Sequence, residues 1–194
     1  MADTAKKSGG GQIIKLALVL LAVAAVIALV LGVVNEITKG PIEDYLNNKR
    51  DAAYAMVMPG EGNVYEELDA DSYTNDASNT ITKLSKATDA SGNEIGYVAE
   101  TTFSGAQGMI TMVIGLDPDL VCTGIGITEH SETSGLGAKA ADTTDPFPQS
   151  LPGNGDGLKL AKDGGTIAAI SGATLTSRAV VTEIQTVIDA VKSL

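Results

Sequence analysis

The chain has 194 residues, a formal net charge of −11, 44% hydrophobic residues and a mean hydropathy of +0.15. An acidic balance of this size argues against nucleic acid or anionic lipid as a partner. One histidine and one cysteine leave no zinc or iron–sulfur ligand set, and Cys122 alone makes no internal disulfide.

High hydropathy and high charge coexist because they occupy different stretches. Residues 1–12, with Lys6, Lys7 and Ser8-Gly9-Gly10-Gly11, read as a flexible tail. Residues 13–34 read as a transmembrane helix, because 16–34 is an uncharged apolar run. At about 1.5 Å per residue it crosses a hydrocarbon core about 30 Å thick. A cleaved signal peptide has a shorter apolar region and a small-residue cleavage site behind it; this run has neither feature. A core helix needs a polar face, and this run has none.

Lys6, Lys7 and Lys15 precede the span and Lys39, Lys49 and Arg50 follow it, so the local charge is balanced. The early lysines favour a cytoplasmic N-terminus. They and Asp3 are the only charges up to Val34, which leaves 10 Lys/Arg and 23 Asp/Glu beyond it. That remainder reads as an acidic domain on the extracytoplasmic face of a single-pass membrane protein.

Residues 35–60 read as linker and helix: an exit linker over 35–40, then a helix opened by Pro41 and closed by Pro59-Gly60. Ile42, Leu46, Ala53, Met56 and Val57 supply its patchy apolar stripe. Residues 61–79 are acidic and polar and read as loop, with Tyr65, Leu68 and Tyr73 as anchors. Strand signals follow over 81–87, 95–103, 109–116 and 120–128, separated by turn residues at 90–93 and 117–119. Short strands at this spacing predict an antiparallel meander. Cys122 falls in the last of them and reads as a small buried residue.

Residues 129–138 are too small and polar for a strand and form a loop containing the only histidine, His130. Residues 142–154 are loop-rich, with Phe147 as a core anchor. Short strands are expected over 158–161 and 166–170, either side of Asp163-Gly164-Gly165. From Val180 onward, Ile184, Val187, Ile188, Val191 and Leu194 fall at helical spacing. Ser171-Gly172-Ala173-Thr174-Leu175-Thr176-Ser177 stands just ahead of that stripe.

Two readings of this hydroxyl-rich stretch stay open from the residues alone. Its side-chain oxygens suit a helix cap, accepting from first-turn N–H groups. The same N–H groups and the helix dipole also suit a phosphate.

The stretch 171–174 resembles the Ser/Thr-Gly-Ala-Thr motif of the FMN-binding domain family. In that family FMN is joined by a phosphoester to the threonine that closes the motif. Carried over, Thr174 is the attachment residue, with Ser171, Gly172, Ala173, Thr176 and Ser177 around the phosphate. The loop 132–137 resembles the family's Glu-Thr-Pro-Gly-Leu-Gly loop, which lies against the flavin. Glu132, Thr133, Gly135, Leu136 and Gly137 match, and Ser134 replaces the proline. Ala168 stands where the pattern has an acidic residue, six positions before the modified threonine, and Asp163 is out of register.

The resemblance implies an α+β fold: one N-terminal transmembrane helix, then a small antiparallel-sheet FMN-binding domain over 61–194 with flanking helices. The arrangement resembles the G-subunit family of Rnf complexes, membrane-bound ion-translocating ferredoxin:NAD oxidoreductases. It implies an electron-transfer subunit with covalent FMN, the complex's other membrane and redox subunits as partners, and a flavin transferase for maturation. The C-type subunit of the sodium-pumping NADH:quinone reductase shares the domain and is usually longer. No general acid–base pair and no metal set is read from the residues, so no catalytic residue is assigned. A binding module with a mere helix cap, or a scaffold subunit without flavin, predicts a colourless protein instead.

Overall fold

The computed structural model describes residues 9–69 and 79–194. Lys6, Lys7 and Tyr73 lie outside the described residues. Helix α1 (Gly9–Val57) is one run of 49 residues. Its most apolar 18-residue window has a mean hydropathy of 3.2. Leu16, Leu18, Val19 and Leu21, spread round it at about 100° per residue, are all more than half exposed. A helix this apolar all round suits lipid, where each backbone group must be satisfied within the segment.

The stretch 35–40 is helical, and Pro41 lies inside α1 instead of opening a new helix. No residue from Asn35 to Lys39 breaks a helix. Thr38 even returns its hydroxyl proton to the Val34 carbonyl at 2.8 Å. Pro41 takes one N–H out of the ladder and crowds the carbonyl four residues back, and α1 continues past it all the same.

Residues Asn47–Leu194 form one compact unit. Its sheet has five strands: β1 (Val64–Glu67), β2 (Asn79–Thr88), β3 (Glu94–Ser104), β4 (Met109–Leu116) and β5 (Cys122–His130). They pair in sequence order, every neighbour antiparallel, as the meander expectation has it. The sequence assigns β1 to loop because two of its four residues are glutamates, which strands disfavour. As the edge strand it leaves those charges in solvent. Tyr65 anchors it, meeting the Tyr54 ring edge-on at 4.9 Å.

Alternation on the strands produces two buried faces. Ala99 and Phe103 of β3 and Ile110, Met112, Ile114 and Leu116 of β4 face the larger core. Another helix, α3 (Thr174–Lys192), covers that face with Val180, Ile184, Val187, Ile188 and Val191. Each such aliphatic side chain contributes about 2 kcal/mol of burial. The stripe stops short of its expected end, since Leu194 lies beyond the helix and is 53% exposed. Phe147, on the short α2 (Pro146–Gln149), joins the same core, capped from Asp145.

The opposite face buries Val98, Val113 and Ala87 against Ala53, Val57 and Met58 at the end of α1. Glycines on β4 and β5 permit that approach. A Cβ on Gly126 would come within 2.6 Å of the Ala53 Cβ, and one on Gly115 within 2.7 Å of the Val57 carbonyl. Tyr54 gives its hydroxyl proton to Glu100 at 2.7 Å. Burial first, then that bond, pushes its hydroxyl well above the usual tyrosine range.

The strands expected at 158–161 and 166–170 do not form. A single parallel bridge joins Leu160 to Ile167, and Ala161–Asp163 is a 3-10 turn. Gly164 ends that turn at φ 88°, and a Cβ on Gly165 would sit 2.0 Å from the Lys159 carbonyl oxygen. The bridge is parallel, whereas a hairpin pairs its strands antiparallel.

Two outcomes follow. Gly126→Val forces the last turns of α1 off β5 and lowers unfolding stability by about 1–3 kcal/mol, read in denaturant. A Gly153→Ala control faces open space, though at a positive φ, so it costs less. Cys122 is 1% exposed, and burial pushes its thiol up to about 11. It therefore stays unmodified by iodoacetamide at pH 8 in the folded chain and reacts fully in guanidinium. Between its ordinary range and about 11 the unfolded chain loses this proton first, so its contribution disfavours the fold as pH rises through that window.

Candidate functional site

Gly172 carries φ 77°, the left-handed region that an L side chain rarely adopts. A Cβ there would also reach Leu136 Cδ2 at 3.0 Å. The turn it makes is closed by the Ala173 N–H donating to the Ile170 carbonyl at 3.0 Å. Ser177 then pins the turn from below. Its hydroxyl accepts from the Ile170 N–H and donates to the Ala173 carbonyl, both at 3.0 Å.

Thr174 is the first residue of α3, and the cap position is Ala173, which makes no side-chain cap hydrogen bond. The expected hydroxyl capping is therefore not made. Ser177 is committed to the turn, and Thr176 gives its proton sideways to Glu132 Oε2 at 2.7 Å. The first-turn N–H groups of a 19-residue helix are left to the cleft. Half-buried Thr174 stands at that end, its Oγ1 3.3 Å from Lys162 Nζ.

Glu132 organises the other wall. It is 8% exposed, yet its carboxylate is fully engaged. Oε1 accepts from the Ala106 and Gln107 amides at 2.8 and 3.0 Å, in the β3–β4 turn. Oε2 accepts from Thr176. One side chain thus joins that turn, the loop after β5 and the first turn of α3. Two glycines make room for it: a Cβ on Gly105 or on Gly137 would come within 2.3 Å of one of its oxygens. At Gly137 a side chain is thus barred by Glu132 itself.

The loop holds its shape without a proline. The Leu136 and Ala138 amides both donate to the Thr133 carbonyl at 3.1 Å, and Gly135 takes φ 74°. His130 is exposed and accepts the Glu132 N–H at 3.3 Å through Nδ1.

Glu132, Thr133, Leu136, Gly137, Gly172, Ala173, Thr174 and Thr176 meet around one cleft of about 480 Å³. That is the size of a small-molecule site. Ser171, Ser177 and Gly135 do not line it: Ser171 and Gly135 are exposed, and Ser177 lies beneath. Ala106, Gln107, Lys162 and Leu175 line it as well, and the sequence does not single them out. Leu175 sits in the motif stretch and Lys162 is twelve residues upstream of Thr174, but neither carries a pattern.

Asp163, out of register in sequence, is held by Arg178 of α3. The fork is bidentate, Nε to Oδ2 at 2.8 Å and an Nη to Oδ1 at 2.9 Å. The guanidinium keeps the Asp163 carboxyl below the usual range. Ala168 is exposed.

The family described as FMN-binding domain matches residues 105–189. The G subunit of an ion-translocating oxidoreductase complex from Methanosarcina acetivorans is 32% identical over 96% of this chain and 98% of its own length. The G subunit of a Na(+)-translocating ferredoxin:NAD(+) oxidoreductase complex from Acetobacterium woodii is 31% identical over 87% of this chain and 86% of its own. Among solved structures, NqrC of Shewanella oneidensis aligns at a TM-score of 0.49 with 19% identity, over 74% of this chain and 84% of that one.

Glu132→Ala leaves two amides and a buried hydroxyl without their acceptor and lowers stability by about 3 kcal/mol. Glu132→Gln keeps an acceptor for the amides and costs about 1 kcal/mol. Denaturant unfolding of the full chain in detergent reads the order; equal losses for the two variants refute the carboxylate tie.

Proposed function

We propose, given that this chain belongs to the G-subunit family of ion-translocating oxidoreductase complexes, that it carries FMN through a phosphoester to Thr174. The chain is a membrane-anchored, FMN-binding electron-transfer subunit of such a complex. The observation that carries the phosphoester to Thr174 is that residue's position. A hydroxyl at the start of a helix without a side-chain cap opens onto a cleft of about 480 Å³.

The residues fit the group. Thr174 Oγ1 is the anchoring atom, and the first-turn N–H groups of α3 face the charge that a phosphoester brings. Leu136 and Leu175, 42% and 65% exposed, provide apolar walls for a flat ring system. Glu132 holds the loop against α3 and leaves the cleft open.

When bound, FMN supplies one- and two-electron transfer, while the protein sets its position and surroundings. The cleft's own carboxylate is tied into three hydrogen bonds. The chain therefore brings no acid–base pair of its own to the cleft, and turnover depends on the other subunits of the complex. By the name of the Acetobacterium relative, the reaction of that complex is ferredoxin:NAD(+) oxidoreduction with sodium translocation.

We place the tail on the cytoplasmic side and residues 61–194 on the extracytoplasmic side, on the strength of Lys6, Lys7 and Lys15. A covalent tether suits that side, where a dissociated cofactor is lost. A flavin transferase is then a maturation partner. The alternative, a scaffold subunit without flavin, draws on the neutral, exposed Ala168.

Intact mass of the chain co-expressed with a flavin transferase tests the proposal. The expected result is a gain equal to FMN minus water, fluorescent after denaturation and absent from Thr174→Ala. No gain with a competent transferase overturns the phosphoester; flavin released on denaturation then marks non-covalent FMN, and a colourless chain the scaffold reading.

A further inference from the structure

We propose that Lys162 is the cationic partner of the phosphoryl group at Thr174, holding the flavin's phosphate end at the cleft wall. This rests on the reading that FMN is esterified to Thr174. Lys162 Nζ already donates to Thr174 Oγ1 at 3.3 Å. An ammonium has three protons, so two remain for oxygens borne on the atom attached to Oγ1.

Among the described residues lining the cleft, Lys162 is the one cation and Glu132 the one anion. Glu132 is occupied by two amides and a hydroxyl. In a chain of net charge −11, an added phosphate is repelled by the domain as a whole. The helix N-terminus offsets part of that repulsion, and Lys162 supplies a full positive charge at the cleft wall.

The turn bearing Lys162 is built to hold it there. Leu160 and Ile167, 1% and 4% exposed, root its two ends in the core and bridge to each other. Gly164 and Gly165 allow the sharp return of the chain. Asp163, the next residue, is forked onto Arg178, one helical turn after Thr174. The ion pair thus ties the lysine's turn to the helix that presents the threonine. It also leaves Asp163 satisfied by a partner other than Lys162.

The test compares Lys162→Met, Lys162→Arg and Thr174→Ala in the full chain with a competent transferase and its flavin donor. Intact mass gives the initial rate of flavin loading. Loading is expected to slow about fivefold in Lys162→Met, the scale of one partly exposed charge pair, and to recover in Lys162→Arg. Raised salt slows the wild-type chain more than Lys162→Met. A second measurement isolates the phosphate. In the Thr174→Ala background, FMN and riboflavin binding are read by flavin fluorescence. Lys162→Met is expected to weaken FMN about fivefold and leave riboflavin unchanged. Lys162 is exposed, so its loss does not threaten folding.

Wild-type loading rate in Lys162→Met, or equal weakening of FMN and riboflavin, overturns the role of Lys162 while leaving the attachment reading intact. Loading that survives in Thr174→Ala overturns the attachment reading, and this inference with it.

Discussion

One carboxylate decides the shape of the site. Glu132 is nearly buried, and a buried charge persists only where its oxygens are fully bonded. Its three donors come from segments far apart in sequence: the β3–β4 turn at Ala106 and Gln107, and the first turn of α3 at Thr176. Because all three must be met at once, the loop, the hairpin and the helix start have little freedom relative to one another. The cleft between them is preorganised by that single demand. Gly105 and Gly137 exist at their positions because a methyl group there would displace the carboxylate.

Around that tie the rest of the domain is a support. The sheet presents one face to α3, whose aliphatic stripe fixes the helix and hence the direction in which its N-terminus points. The other face takes the last turns of α1, close enough that glycines replace side chains on β4 and β5. The motif residues divide the labour. Gly172 and Ala173 shape the turn, Ser177 locks it from beneath, and Thr176 connects it to Glu132. That leaves Thr174 as the motif hydroxyl beside Lys162 at the cleft wall.

Much of this was legible in the residues because it rests on local rules. The apolar run of 16–34 states its own environment, and the strand-forming residues of 95–103 and 109–116, punctuated by turn residues, state strands. The C-terminal stripe states its buried face. Other elements were illegible for equally local reasons. The four residues of β1 look like loop because an edge strand tolerates glutamates. The 158–170 region looks like two short strands about Asp163-Gly164-Gly165, while the one bridge it makes, Leu160 to Ile167, is parallel and so not a hairpin pairing. Gly40-Pro41 reads as a helix boundary, yet α1 runs through it, since nothing over 35–39 ends the helix first.

The site divides along the same line. Residue order alone is enough to place a threonine at the close of a small-residue turn before a helix, with a Glu-Thr-Ser-Gly-Leu-Gly loop about forty residues ahead of it. Short-range backbone preferences account for both. What faces the cleft is settled in three dimensions. Thr176 and Ser177 turn inward because buried hydroxyls seek buried partners, Glu132 and the Ile170–Ala173 turn. Lys162 arrives beside Thr174 because a core-rooted turn and an Asp163–Arg178 fork bring it there. Those are contacts between segments that no local pattern encodes, since each depends on where the sheet and α3 place the chain in space.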